Sequence, residues 1–166
     1  MKILHKGTLI DTPPTRIKVK GKTYVCQPVT LQGSPCQGYY ATICGQVISY
    51  RGQHNGRNSK VSKKDPRILS PSIDNAGYET VVLHTDNGNS RVSVHRVVAF
   101  SWYEKPPRDS HGNHRGEVHH INGNKTDNRL LNLEFNSRQE NQANNKHVKA
   151  IQQELATLQE ARNETH

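Results

Sequence analysis

The sequence predicts an α+β protein with a small β-rich N-terminal region, a strand–loop–strand–helix unit and a C-terminal helix. In the first half of the chain, apolar and polar residues alternate in short runs, as they do in half-buried strands. A helical period first appears at residues 94–104 and returns near the C-terminus. Only 31% of the 166 residues are hydrophobic, which favours small modules over one large core.

The N-terminal half is expected to consist of short antiparallel strands. Residues 16–30 alternate apolar and basic residues around Gly21, which predicts a β-hairpin with one basic face. Residues 38–51 contain two β-rich runs separated by Gly45. The segment 68–94 predicts three further strands, beginning with the run RILSPSI and separated by turn-forming residues.

A helix is predicted for residues 94–104, because apolar residues recur there at helical spacing, and it is expected to end before Pro106. From 116 to 145 the order is strand (EVHHI), loop (NGNKTDNR), second strand (LLNLEF) and a helix that begins near Ser137 with a capping box. These elements divide the chain into a β-rich region (1–92), the strand–loop–strand–helix module (93–145) and a helical tail (146–166).

The charge of the chain indicates a polyanionic partner. Lys and Arg total 23 against 14 Asp and Glu, a formal charge of +9. The densest positive segment, residues 51–67, holds six Lys or Arg and one Asp. Together with the lysines of the first hairpin it supplies the candidates for phosphate contact: Lys18, Lys20, Lys22, Arg51, Arg57, Lys60, Lys63, Lys64 and Arg67.

Membrane association and secretion are not expected. The sequence has no run of about 18 apolar residues, and its N-terminus lacks the apolar core of a signal peptide. Cys26, Cys36 and Cys44 are widely spaced and form no Cys-X-X-Cys pair. Three reduced thiols in a cytoplasmic protein are therefore predicted.

The adjacent pair His119–His120 is the most informative feature of the sequence. If the module brings the two imidazoles together with the amide oxygen of Asn141, this spot could hold one divalent metal ion, and the other histidine would be free to take a proton from water. The ordinary pKa of histidine, about 6.5, suits a general base at neutral pH. These are the parts needed to hydrolyse a phosphodiester.

The stretch VHHINGNKTDNRLLNLEFNSRQENQANN resembles the HNH nuclease motif of the ββα-metal fold. The preceding VHRVVAFSW and the β-rich segment before it resemble the module found upstream of that motif in phage and intron-encoded homing endonucleases. The resemblance covers residues 38–145 and is strongest across 94–141.

The resemblance implies a role for four residues. His120 corresponds to the general base, and His119 to a metal ligand that is Asp in some relatives. Asn132 corresponds to the middle asparagine that braces the loop, and Asn141 to the last metal ligand. It also implies Mg²⁺, with Mn²⁺ or other divalent ions possible, and products with 5′-phosphate and 3′-hydroxyl ends.

The function predicted from the sequence is a cytoplasmic HNH endonuclease that cuts double-stranded DNA, of the phage or intron homing type. One active site per chain would nick DNA as a monomer, whereas a double-strand break would need a homodimer or two visits. Two alternatives stay open: a non-catalytic DNA-binding regulator with an HNH fold, and a nuclease or binding protein directed to RNA.

Overall fold

A computed structural model of the protein describes residues 10–31, 34–51, 65–85, 88–103 and 116–136. Within these ranges one α-helix, α1, spans Val94–Trp102, and a single 3-10 turn spans Leu130–Asn132. The strands are β1 Thr15–Val19, β2 Lys22–Leu31, β3 Ser34–Thr42, β4 Val47–Ser49, β5 Arg67–Ile68, β6 Ser72–Ile73, β7 Glu79–Thr85, β8 Gly88–Ser93, β9 Glu117–His120 and β10 Leu133–Asn136.

Strands β1 to β5 form one antiparallel sheet in chain order. The predicted hairpin around Gly21 is present, and its turn places both Lys20 (φ 46°) and Gly21 (φ 85°) in the left-handed region. Two consecutive left-handed residues match the twist of a two-residue hairpin turn. The two predicted runs on either side of Gly45 are β3 and β4.

The lysines of this hairpin do not share one face, so the expectation of a single basic face is wrong. Lys18 pairs with Thr23 and projects opposite to Ile17, whose side chain is buried. The Lys22 Nζ lies 5.3 Å from the centre of the Tyr24 ring, on the buried side of the ladder. All three lysines are nevertheless exposed to solvent.

The run RILSPSI does not form the single strand that its composition predicts. Its first two residues form β5, which pairs with β4, whereas Ser72–Ile73 form β6, which pairs with β7 in a separate three-stranded sheet. Pro71 lies between the two halves and has no backbone N–H to donate. The run therefore links two sheets.

Helix α1 follows β8 directly and packs both sheets against the β9–β10 hairpin. The helix ends earlier than the predicted residue 104. The Trp102 indole donates to the carbonyl oxygen of Ala41 at 3.0 Å, and the Tyr103 hydroxyl donates to that of Leu130 at 3.1 Å. The first bond ties the helix to the five-stranded sheet, and the second ties it to the module that carries the histidine pair.

One hydrophobic cluster extends across the boundary predicted at residues 92 and 93. It contains Val29 and Tyr39 from the five-stranded sheet, Leu83 from the three-stranded sheet, Val98 from α1 and Leu133 from β10. Each of these side chains is almost fully buried. The β-rich region and the module are thus packed on a common core, although the division into domains by function stays a prediction.

The described part of the chain is mostly β-sheet with one helix. The second strand of the module is shorter than predicted, because Leu130–Asn132 form a 3-10 turn before β10 begins. The helix predicted near Ser137 and the helical tail lie outside the described residues. No helix among the residues described is long and apolar enough to cross a membrane.

Gly45 is a point at which the five-stranded sheet meets the module. It has φ +84°, and a Cβ built on it would lie 2.4 Å from the backbone carbon of Asn128. Gly21 has almost the same φ, +85°, but a Cβ there would meet nothing within 4 Å. A comparison of alanine substitutions at these two glycines therefore distinguishes the cost of backbone strain from the cost of a steric clash.

We expect Gly45→Ala to reduce the free energy of unfolding by more than Gly21→Ala. The Gly21 variant should cost about 1 kcal/mol, which is the strain of a left-handed alanine. The Gly45 variant should cost at least about 2–3 kcal/mol, because the loop backbone must also move. Urea titrations of both variants measure the difference, and equal costs would show that the Gly45 turn does not support the loop.

Candidate active site

The histidine pair lies at the end of β9, which is antiparallel to β10. In this ladder His119 is opposite Glu134, and His120 is opposite Leu133. Because successive residues of a strand project to opposite faces, the two histidines face different surroundings. His120 lies on the face of the hydrophobic core, whereas His119 shares its face with a carboxylate. The two imidazoles are thus placed for different tasks.

A chain of two hydrogen bonds anchors the His120 imidazole. Its Nε2 lies 3.0 Å from Oδ1 of Asn128, and the Asn128 Nδ2 donates to Oε2 of Glu79 at 2.7 Å. Asn128 is 3% exposed, so its amide is fixed within the protein. Glu79 is the first residue of β7 and lies 49 positions before Asn128. The three-stranded sheet therefore reaches directly to the candidate base.

Two aromatic rings confine His120 on the core side. The centre of its ring lies 4.9 Å from that of His95, on α1, and 6.0 Å from that of Tyr78. Burial lowers the pKa of His95 to about 3, so this ring is uncharged at neutral pH. His95 thus presents an uncharged ring against which the candidate base is packed.

Burial also lowers the pKa of His120, because the charged imidazolium loses its hydration. The bond with Asn128 and the charge of Asp127 act in the opposite direction, whereas His119 and Lys125 lower the pKa further. The net direction is downward. The imidazole is therefore neutral at physiological pH and has one nitrogen available to accept a proton.

The loop between the two strands is braced internally by Asn132. Its Oδ1 accepts from the backbone N–H of Asn122 at 3.0 Å, and its Nδ2 donates to the carbonyl oxygen of Asp127 at 2.8 Å. The Asp127 carboxylate in turn accepts two bonds from Arg129, which hold its pKa at about 2. This geometry suits the bracing that the resemblance implies, and a part of Asn132 in catalysis stays a prediction.

The turn before β7 is hydrogen-bonded to the same loop. The Lys125 Nζ donates to the carbonyl oxygen of Ala76 at 2.8 Å and lies 4.7 Å from the centre of the Tyr78 ring. The turn is itself held by Asp74, whose Oδ1 accepts from the N–H groups of Ala76 and Tyr78, both at 2.9 Å. The loop and the turn thus form one hydrogen-bonded unit.

On the opposite face of the ladder, Glu134 supplies a carboxylate beside His119. Glu134 is 2% exposed, and its Oε2 is buried without a hydrogen-bond partner among the described residues. Its Oε1 accepts from Asn136 at 3.0 Å. A buried carboxylate oxygen without a partner is costly unless a proton or a cation satisfies it. The donor set on this face, imidazole and carboxylate, therefore fits a divalent metal ion.

The structure describes only some of the other predicted site residues. No group of three or more His, Cys, Asp or Glu that could hold a metal occurs in the described ranges. Asn141, the other predicted ligand, lies outside them, as do Arg57, Lys60, Lys63 and Lys64. Arg51 and Arg67 are half-buried, and the Arg51 Nε donates to the carbonyl oxygen of Gln37 at 3.1 Å.

Sequence reasoning missed Glu79 and Asn128. Asn128 could have been found, because it lies in the polar loop directly after the histidine pair and is the sort of residue that makes specific hydrogen bonds. Glu79 gives no local signal, since it opens an ordinary strand and meets Asn128 only through the tertiary fold.

The three cysteines have no disulfide bond, and burial raises the pKa of Cys26 to about 11.

The two-stranded module, its braced loop and its buried histidine have the layout that the resemblance to HNH nucleases implies. Residues 111–143 match the HNH endonuclease family. This part of the chain is therefore similar to HNH endonucleases, as the resemblance in the sequence implies.

A curated relative and a solved structure extend this comparison. An uncharacterized HNH endonuclease of Acanthamoeba polyphaga mimivirus is 39% identical over 74 residues, which are 45% of this chain but only 21% of the viral protein. The HNH homing endonuclease I-HmuI, whose structure concerns DNA binding and cleavage, has a similar fold with a TM-score of 0.51 at 21% identity. That similarity covers 88% of this chain and 68% of I-HmuI.

Proposed function

We propose that the protein is a metal-dependent endonuclease that hydrolyses phosphodiester bonds of double-stranded DNA, of the site-specific homing type. The observation that carries the proposal is the buried, neutral His120 held by Asn128 on a family-matched HNH module. The net charge of +9 favours a nucleic acid as substrate. The fold shared with a DNA-cleaving homing endonuclease supports DNA in particular.

In the proposed reaction, His120 accepts a proton from the attacking water. Its imidazole is uncharged at neutral pH, and the bond to Asn128 prevents the ring from turning. On the other face, His119 and Asn141 would hold the metal ion, Mg²⁺ by preference, and Glu134 would supply the negative charge that a neutral His119 lacks. When bound, such an ion offsets the charge that develops on the phosphate and the leaving oxygen.

His120→Ala is expected to lower the rate of plasmid nicking by about 10²–10⁴, the range for loss of a general base. DNA affinity should change little, and the variant should still fold, with a lower free energy of unfolding because the buried His120 ring is lost. His84→Ala, which removes an exposed histidine from β7, is the matched control and should nick normally. Single-turnover nicking at saturating Mg²⁺ measures the effect, and near-normal cleavage by His120→Ala would remove His120 from the mechanism.

His119→Ala should weaken metal binding because it removes a ligand. Glu134→Gln should weaken metal binding because it removes a buried charge while it keeps the size of the side chain. Calorimetric titration with Mn²⁺ in the absence of DNA measures this directly. Asp11→Asn removes an exposed carboxylate and serves as the control.

The same two variants should regain part of their activity at higher metal concentration, whereas His120→Ala should not. If Glu134→Gln binds Mn²⁺ as tightly as the unaltered protein, then the carboxylate beside His119 takes no part in the metal site.

The salt dependence of binding should identify the lysines that touch phosphate. Each phosphate contact lowers the slope of log affinity against log salt by about 0.9. Replacement of Lys18, Lys20 and Lys22, or of Lys60, Lys63 and Lys64, should therefore flatten the slope by up to about 3 while the cleavage position stays the same. Asn rather than Ala suits Lys20, whose φ is 46°.

The two triple variants remove the same charge, so they control for one another. Weakening through long-range charge would be equal in both and would leave each slope nearly unchanged. A slope that is unaltered in a triple variant shows that its three lysines do not contact the DNA backbone.

A further inference from the structure

The chain of bonds from Glu79 to His120 has a direction that follows from the chemistry of its groups. An ionised carboxylate can only accept hydrogen bonds. Because Asn128 contacts the Glu79 carboxylate at 2.7 Å, the amide NH₂ must face Glu79. The amide oxygen then faces the Nε2 of His120 at 3.0 Å. Since an amide oxygen also only accepts, Nε2 must carry the proton.

We propose that Glu79 is a positioning residue whose carboxylate orients the Asn128 amide and thereby selects the His120 tautomer with the proton on Nε2. Nδ1 is then the nitrogen that accepts a proton from water. The bond between the ring and Asn128 uses Nε2, which leaves Nδ1 as the other ring nitrogen. This inference rests on the proposed function, because it concerns the histidine to which that function assigns the role of base.

Without Glu79, nothing in the described surroundings of Asn128 would fix its orientation. Glu79 and Asn128 both line a cleft of about 440 Å³, so water would take the place of the missing carboxylate. Water both donates and accepts, and it would satisfy the amide in either orientation. In the reversed orientation the NH₂ group would donate to Nε2 and move the ring proton to Nδ1, where it would block the base.

The position of Glu79 is fixed well enough for this task. It pairs with Ile73 across the β6–β7 ladder, and the Asp74 turn lies directly before it. The same turn contacts the catalytic loop a second time through the bond from Lys125 to Ala76. Glu79 is thus a residue of the β-rich region, held in place by strand pairing, that orients the candidate base of the module. Outer-shell residues that orient metal-bound histidines typically contribute about 10–100-fold in activity, and we expect a similar factor for Glu79.

The test measures the tautomer of His120 and the cleavage rate in the same variants of the full chain. Long-range ¹H–¹⁵N correlation spectra distinguish a protonated from an unprotonated ring nitrogen, and the His120→Ala spectrum assigns the signals. The unaltered protein should show a protonated Nε2 and an unprotonated Nδ1. Glu79→Ala should show a mixture of tautomers, with kcat for DNA cleavage lowered by about 10–100-fold and KM unchanged.

Glu79→Gln is the sharper variant, because it keeps the shape of the side chain while its amide can either donate or accept. It should lie between the unaltered protein and Glu79→Ala in both tautomer and kcat. Asp65→Ala removes an exposed carboxylate elsewhere and should alter neither quantity. If Glu79→Ala does not fold, Glu79→Gln decides the question alone.

A proton on Nδ1 in the unaltered protein would overturn the proposal. The same conclusion follows if both Glu79 variants keep the original tautomer, whatever their cleavage rates, since any loss of activity would then have another origin. If the unaltered protein cleaves no DNA with any divalent metal, the proposed function fails instead. The spectra would still show whether Glu79 selects the tautomer.

Discussion

The amide of Asn128, held between the carboxylate of Glu79 and the imidazole of His120, is the contact on which the candidate site depends. It joins a strand of the β-rich region to two neighbouring parts of the module, its loop and the end of the histidine strand. Strand pairing holds both partners of the amide, Glu79 in the β6–β7 ladder and His120 in the β9–β10 ladder. The position of the candidate base is therefore a property of the whole fold.

The shared hydrophobic core makes this contact possible. Helix α1 lies between the sheets and the histidine hairpin, and its side chains pack against both. It also carries His95, the neutral ring against which His120 rests. Gly45 allows the β3–β4 turn to approach the loop backbone beside Asn128, which a side chain would prevent. Stability and the geometry of the site are thus set by the same elements.

Local features of the sequence predicted much of this architecture. The hairpin at Gly21, the strands around Gly45 and helix α1 each follow from residue patterns within about ten positions. The prediction of a single strand for the run RILSPSI is wrong, because its two halves pair with strands of different sheets and local sequence does not determine those partners. The prediction that the hairpin lysines share one face is wrong because the strand register pairs Lys18 with Thr23 and Lys22 with Val19. Lys18 and Lys22 therefore lie on opposite faces of the hairpin.

The candidate site shows the same limit more clearly. The histidine pair and Asn132 lie in one continuous motif, so the sequence alone can single them out, and their roles stay predictions. Glu79 could not be found in this way, because its partner is 49 residues away and its own surroundings are those of an ordinary strand. The carboxylate of Glu134 beside His119 likewise emerges only from the pairing of β9 with β10. Tertiary contacts of single polar atoms leave no periodic trace in a sequence.

We propose that the histidine module cuts DNA by metal-assisted hydrolysis. The most direct measurement is incubation of the purified protein with phage or host genomic DNA, with Mg²⁺ or with EDTA, followed by sequencing of the ends. We expect breaks at a defined position that require the metal and carry 5′-phosphate and 3′-hydroxyl groups. Intact DNA under every metal condition, with binding preserved, would contradict it and favour a non-catalytic DNA-binding protein.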